Sequence, residues 1–564
     1  MKKILKFIFS RLSLIFVSII FQIAWYIFIP IFLGSKFPAV PINLIMSLLA
    51  ILIVIVIINS DMKVEGQLPI IILCIISPII GVVISIIFVS PHIPKKIKKF
   101  YEESKLQIKE NMVLSEKEKE NLNKSLGDNQ GHFNYIYNTT GLKSYQNTTV
   151  DFFSEGEKFF KELKNELKKA ERYIFMEYFI IEQGEMWDGI FEILCDKVKN
   201  GVEVRLMYDD LGTITKLPSN FAKRLKKVGI NAIKFNEYSE TTSAIYNNRD
   251  HRKITVIDGK VGFMGGVNIA DEYINKIKPF GYFKDTAVKI TGDAVKSLVC
   301  MFMQLFDIQT KTIEKFSEYI NYDFSLDNKR FDSDSKRDFQ INENNEECRD
   351  KLSQKLKETF LEFDLKNKNF ETKQENETKN ENINAVVCPF GDGPKYFDGE
   401  QVGENVLINL ISQAKNYVYI TTPYLIIDSN LKNALINACK KGVKVKIVTP
   451  HIPDKKIVFS ITRSNYKNLI DGGVEILEYS EGFIHAKQVL VDDKLGIVGT
   501  INLDYRSLIH HYECGVLMYN CLCLKDIKKD FENIFETAIN MSDYKQNYFA
   551  KLFCAVIKLF TPLL

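Results

Sequence analysis

The chain contains no Cys-x-x-Cys pair, and none of its histidines and cysteines fall at zinc spacing. A structural zinc site and a disulfide framework are therefore excluded as organising devices. Ten cysteines lie scattered, and Cys195, Cys300, Cys439 and Cys514 sit in apolar contexts that read as reduced core positions of a part facing a reducing compartment. Net charge is also nearly absent, at +4 over 564 residues. Neither this balance nor any basic–aromatic groove pattern supports a nucleic-acid partner. No small-residue cleavage site follows the first apolar run, which is too long for a signal peptide.

Apolar length is what the chain has early. Three runs, 12–33, 42–58 and 68–89, make residues 1–92 a membrane region; the first and third are long enough to span a bilayer, and the second is at the short limit. Lys2, Lys3, Lys6 and Arg11 precede the first run, while Lys95, Lys96, Lys98 and Lys99 follow the third. The positive-inside rule puts both flanks in the cytoplasm. Three full spans cannot satisfy that, so one run is expected to re-enter or lie in the interface, with the catalytic part cytoplasmic.

Residues 93–149 read as a Lys/Glu-rich juxtamembrane linker. From about Val150 helical and strand patterns alternate: helices at 155–170, 187–200 and 221–228, strands at 173–181, 201–210 and 231–235. This order predicts an α/β fold with a largely covered sheet. It recurs later. A-E-R-Y-I-F-M-E-Y-F-I-I (170–181) parallels A-K-N-Y-V-Y-I-T-T-P-Y-L (414–425), and K-N-G-V-E-V-R-L-M-Y-D (199–209) parallels K-K-G-V-K-V-K-I-V-T-P (440–450). A repeat of this length implies duplication of a whole domain, with halves at 150–309 and 383–564. Between them, 310–382 is a polar, Asn/Lys/Glu/Asp-rich insertion too poor in apolar residues to fold by itself. The C-terminal run places apolar residues at 549, 552, 553, 556, 557 and 560 on one helical face, to be packed on the core or laid in a membrane interface.

Each half carries His-x-Lys-x-x-x-x-Asp, as H-R-K-I-T-V-I-D (251–258) and H-A-K-Q-V-L-V-D (485–492), followed at equal distance by a glycine and by Asn268 or Asn502. Residues two apart on a strand share a face, so each imidazole lies beside an ammonium. That pairing suits attack on a phosphodiester without a metal or other cofactor. Lys253 and Lys487 would neutralise the non-bridging oxygens, with Asn268 and Asn502 adding hydrogen bonds. One neutral imidazole would form a phosphohistidine while the other handles the leaving-group proton. Asp258 and Asp492 count with the motif as catalytic candidates, although their place at the strand end suits holding the strand and turn. Each histidine also needs an acceptor on its other nitrogen. Asp285 and Glu513, each entering a new strand at comparable distance beyond its own half's histidine, are the candidates.

N-N-R-D-H-R-K-I-T-V-I-D-G-K-V-G-F-M-G-G-V-N-I-A-D-E-Y (247–273), G-F-I-H-A-K-Q-V-L-V-D-D-K-L-G-I-V-G-T-I-N-L-D-Y-R-S (482–507), I-T-T-P-Y-L-I-I-D (420–428) and V-T-P-H-I-P-D-K (448–455) together resemble the bacterial cardiolipin synthases of the phospholipase D superfamily. The resemblance implies a duplicated phospholipase D-type α/β/α sandwich of pseudo-twofold symmetry, one shared site that does not require an oligomer, and a location in the bacterial cell membrane. It implies phosphatidyl transfer between two phosphatidylglycerols, giving cardiolipin and glycerol. His251 matches the family's usual nucleophile and His485 its acid/base, though the symmetry permits the reverse. Phe283-Lys284 stands where the family often has Trp-Arg. A hydrolase, a transferase to another lipid or alcohol, and a non-catalytic membrane scaffold remain as alternatives.

Overall fold

The computed structural model describes residues 39–88, 94–237, 248–320 and 385–558. The expected run 12–33, most of the insertion 310–382 and the last six residues lie outside them.

Valine- and isoleucine-rich runs bounded by glycine turns give two mixed sheets. The first half contributes β1 (Thr148–Phe153), β2 (Tyr173–Tyr178), β3 (Glu203–Asp209), β4 (Asn231–Phe235), β5 (Lys253–Ile257), β6 (Val261–Gly265), β7 (Tyr282–Lys284) and β8 (Ala287–Gly292). The second contributes β9 (Val386–Asp392), β10 (Tyr417–Thr421), β11 (Lys444–Pro450), β12 (Glu475–Tyr479), β13 (Gly482–Ile484), β14 (Gln488–Val491), β15 (Leu495–Gly499), β16 (Glu513–Tyr519) and β17 (Ile539–Asn540). Strand order is β1-β8-β6-β5-β2-β3-β4 in one sheet and β9-β16-β15-β14-β10-β11-β12 in the other, which adds β17 at its far edge. The two orders correspond strand for strand, so the fold is a duplicated mixed α/β unit.

Helices Gly156–Leu167, Glu185–Lys199 and Phe221–Lys227 cover the outer face of the first sheet, and Val402–Gln413, Ser429–Lys440 and Lys456–Asp471 that of the second. Between the sheets lies one shared core. It takes Phe175, Val256 and Val288 from one half and Val498, Val516 and Met518 from the other, around the apolar helix Val295–Thr310.

Two expectations need correction. Residues 93–149 are no loose linker: helices Lys95–Asn111, Glu116–Leu126 and Gln130–Thr140 pack on the core through Tyr101, Ile108, Met112, Leu122, Leu126, Phe133 and Ile136. Their buried positions are few and recur at helical spacing inside a charged background, which masks the pattern. Cys195 and Cys439 are only half-buried, whereas Cys300 and Cys514 are buried.

The run 68–89 is not continuous either. It forms two helices, Val64–Ile76 and Pro78–Phe88, broken at Ser77 and folded against each other and against Ala39–Ile58. Gly81 allows the close approach, since a Cβ there would lie 2.4 Å from Cys74 Cα. Among the described residues no helix is long and apolar enough to cross a membrane. Ile45, Leu48, Ile51, Leu52, Ile55 and Val56 of Ala39–Ile58 are nevertheless exposed. This bundle is pinned to the second half by Lys63, which bonds Glu404 and Asp428, and by Glu65, which accepts from Ser429.

Candidate active site

Two short parallel contacts stitch the halves together. β13 pairs with β7 in a two-stranded sheet, and Asp250 bridges Tyr512 in the same sense. Their backbone bonds continue one residue further: His485 N donates to Lys284 O (2.7 Å) and His251 N to Tyr512 O (2.9 Å). This register sets each histidine beside the residue that follows in the opposite half. His251 Nδ1 lies 3.0 Å from both carboxylate oxygens of Glu513, and His485 Nδ1 lies 2.6 Å from Asp285 Oδ2. The carboxylates expected to serve their own half thus serve the other one. Strand spacing fixes which residues share a face, but not which half supplies the neighbour.

The surroundings hold each carboxylate in place. Thr500 Oγ1 accepts from Cys514 N and donates to Glu513 Oε2. Asp285 Oδ1 accepts from Thr286 N and packs against Gly266, where a Cβ would come within 2.0 Å of that oxygen. Phe179 packs edge-on to the His251 ring at 5.0 Å, and Tyr273 and Phe283 flank His485 at 5.5 Å. Lys284 is buried in an ion pair with Asp530. The Phe-Lys pair thus forms a wall of the site and its anchor.

Burial dominates the protonation states. It pushes the His251 imidazole down to about 3 and that of His485 to about 4, against the raising effect of their carboxylates. Burial would raise the Glu513 carboxyl, but His251 and His511 beside it hold it well below the usual range, and His485 does the same for Asp285. Both histidines are therefore neutral near pH 7, each with its Nδ1–H on a carboxylate and Nε2 left for a substrate. Lys253 and Lys487 are buried too, their ammonium groups donating to the carbonyls of His251 and His485. Burial lowers them to about 8 and about 7, and each also feels the carboxylates that raise it. A phosphodiester brought beside the two ammonium groups adds negative charge that raises both lysines toward protonation.

Asp258 and Asp492 do not join this cluster. Asp258 accepts from the backbone N–H groups of Glu171, Arg172 and Tyr173, and Asp492 from those of Lys415, Asn416 and Tyr417, at 2.7–2.9 Å. These contacts tie the start of β2 and β10 to the turn beyond each motif, in keeping with the strand-and-turn role expected of the two aspartates. Asn268 accepts from Ile180 N and donates to Tyr273 Oη, so its amide is committed to the pocket wall. Asn502 is buried, and among the described residues its Oδ1 has no partner. His511 was missed; it lies two residues before Glu513, in the bend between helix Tyr505–Ile509 and β16, where no strand periodicity marks it. Among the described residues one group could hold a metal: His251, His511 and Glu513 bring donor atoms within 4.8 Å of one another. Lys253, close enough for its charge to lower His251, makes this a poor cation site.

A family model described as cardiolipin synthase, PLD-like domain, matches residues 163–280 and 407–537, one segment in each half. A cardiolipin synthase of Oceanobacillus iheyensis is 30% identical over 477 residues, covering 82% of this chain and 86% of its own length. The chain belongs to the cardiolipin synthase family. It is a phosphatidyltransferase enzyme of the phospholipase D-like group. Another family relative, the cardiolipin synthase of Halalkalibacterium halodurans, is 29% identical over 80% of this chain and 79% of its own. A protein of Streptococcus mutans without an assigned activity is 42% identical over 76% of this chain and 82% of its own. The solved phosphatidylserine synthase of Haemophilus influenzae shares the fold, with a TM-score of 0.51 and 16% identity over 77% of this chain and 98% of its own. The matched segments hold both histidine–lysine pairs, and the duplicated sheets are the family's two halves.

Proposed function

We propose that the protein is a cardiolipin synthase, transferring a phosphatidyl group between two phosphatidylglycerol molecules. The observation that carries this is the crossed pair of neutral histidines, each oriented by a carboxylate from the other half, around two buried lysines. Lys253 and Lys487 take the non-bridging oxygens. His251 Nε2 attacks phosphorus, and the bond to the glycerol oxygen breaks as His485 delivers a proton to it. The arriving anion raises the His485 imidazole toward protonation, and Asp285 stabilises the resulting imidazolium. The second phosphatidylglycerol then gives its hydroxyl proton to His485 while its oxygen displaces His251 from phosphorus. Cardiolipin leaves and both imidazoles return to neutrality.

The bilayer is the site of reaction. Phe549, Leu552, Phe553 and Val556 point outward from the C-terminal helix Tyr548–Lys558, while its buried Cys554 and its Lys558 bond back to Ser460, Ser464 and Asn465. A helix held to the protein by its polar side, with its apolar side outside, suits a lipid interface. This supports a membrane location. Purified protein in detergent, given phosphatidylglycerol alone, is expected to make cardiolipin and glycerol. Phosphatidic acid as the main product would establish a hydrolase, and no turnover a scaffold.

A further inference from the structure

His511 is buried beside the reacting pair, yet neither of its ring nitrogens has a hydrogen-bond partner among the described residues. An orphaned buried imidazole is costly unless something arrives to satisfy it. Its ring lies 5.8 Å from that of His251, and its Nδ1 is 3.8 Å from Glu513 Oε1, too far for a hydrogen bond. Its place is fixed from behind, where His511 N donates to Arg506 O at the end of helix Tyr505–Ile509.

The charges around His511 say what it can receive. Glu513 is ionised, and Asp504 is near enough to feel the charge of His511. A phosphate would be repelled by these carboxylates and is already served by Lys253 and Lys487. A neutral hydroxyl suits the spot, because it can donate to a carboxylate and accept from an imidazole N–H, or the reverse.

We infer that His511 binds a hydroxyl of the acceptor's polyol headgroup, the one adjacent to the oxygen that attacks phosphorus. This rests on the phosphatidyl-transfer reading and deepens it. A glycerol headgroup has such a vicinal hydroxyl one carbon from its reacting terminus, and a monohydric alcohol does not. The leaving glycerol occupies the same position in the first half-reaction, so His511 would hold the departing and the arriving headgroup alike. It is a specificity residue that touches substrate while the two motif histidines do the chemistry.

The test compares 1,2-propanediol with 1-propanol as acceptors, with phosphatidylglycerol as donor and the full-length protein in detergent. The wild-type preference for the diol is expected to be about tenfold. His511→Ala should abolish that ratio, and His511→Asn should keep part of it, since an amide can donate and accept. An unchanged ratio in His511→Ala overturns the inference, as does an Asn variant indistinguishable from the Ala variant. A second measurement needs no turnover: carbethoxylation of His511, mapped by mass spectrometry, should be slowed more by the diol than by 1-propanol. If the wild type makes no cardiolipin from phosphatidylglycerol, phosphatidyl transfer itself fails; if it makes cardiolipin but transfers to neither alcohol, the protection result decides the binding role, and equal protection by both alcohols overturns it.

Discussion

Replacing Glu513 by glutamine should silence a histidine that lies 262 residues away in the other half of the chain. The expected size follows from the hydrogen bonds around the carboxylate. Thr500 Oγ1 donates to Oε2 and accepts from Cys514 N, and His251 Nδ1 lies 3.0 Å from both carboxylate oxygens. E513Q replaces one of these oxygens by an NH₂ and removes the negative charge that holds the ring proton on Nδ1. With the NH₂ facing Nδ1 that nitrogen has to accept, the ring proton moves to Nε2, and the nucleophilic lone pair is lost. A wrong tautomer of this kind costs about 10² to 10⁴ in rate, roughly 3–5 kcal/mol. D285N should act on the other chemical role. A lipid p-nitrophenyl phosphodiester separates the two, since its leaving group needs no acid. With it D285N should release a burst of p-nitrophenolate and then stall, lacking the base for the second step, whereas E513Q should show no burst. A burst that survives in E513Q and vanishes in D285N would move the nucleophile to His485. Identical behaviour of the two variants would refute the division of labour altogether.

Lys487 and Lys253, lowered to about 7 and about 8, carry charge below those values and lose it above them. The kcat/KM profile should accordingly fall as pH rises through 7 to 8, and K487R should push that limb upward because arginine stays charged. Asp258→Asn removes the charge from a carboxylate that accepts three backbone N–H bonds, so chemical denaturation should register a loss of about 1–3 kcal/mol, with activity per folded molecule nearly retained. A collapse of activity at unchanged stability would return Asp258 to the catalytic set. Hydrogen exchange in residues 548–558 should slow on anionic vesicles, and Phe549→Glu with Phe553→Glu should remove that protection; equal exchange with and without vesicles would refute the interfacial placement.

The sequence made the two halves, their shared strand order and both histidine–lysine pairs legible, because these depend on local periodicity and on spacing within one strand. Asp285 and Glu513 were legible as orienters by chemistry, since a buried imidazole needs an acceptor. Their crossing was not, because it depends on β7 meeting β13 and Asp250 meeting Tyr512, contacts between segments more than 190 residues apart. The helices of 93–149 escaped notice because a few apolar residues in a charged background are enough when a large core already exists to receive them. The break at Ser77 was signalled by Pro78 and Gly81, yet a hairpin and a kinked span share that composition.

The crossed pairing also acts in time. While the chain is being made, the first half emerges with His251 and Lys253 in place but with no carboxylate for the imidazole, since Glu513 is still unsynthesised. The second half in turn needs Asp285 docked through β7 before His485 is set. On the proposed mechanism neither half holds a complete site, so a half-made or half-folded chain would carry no oriented nucleophile.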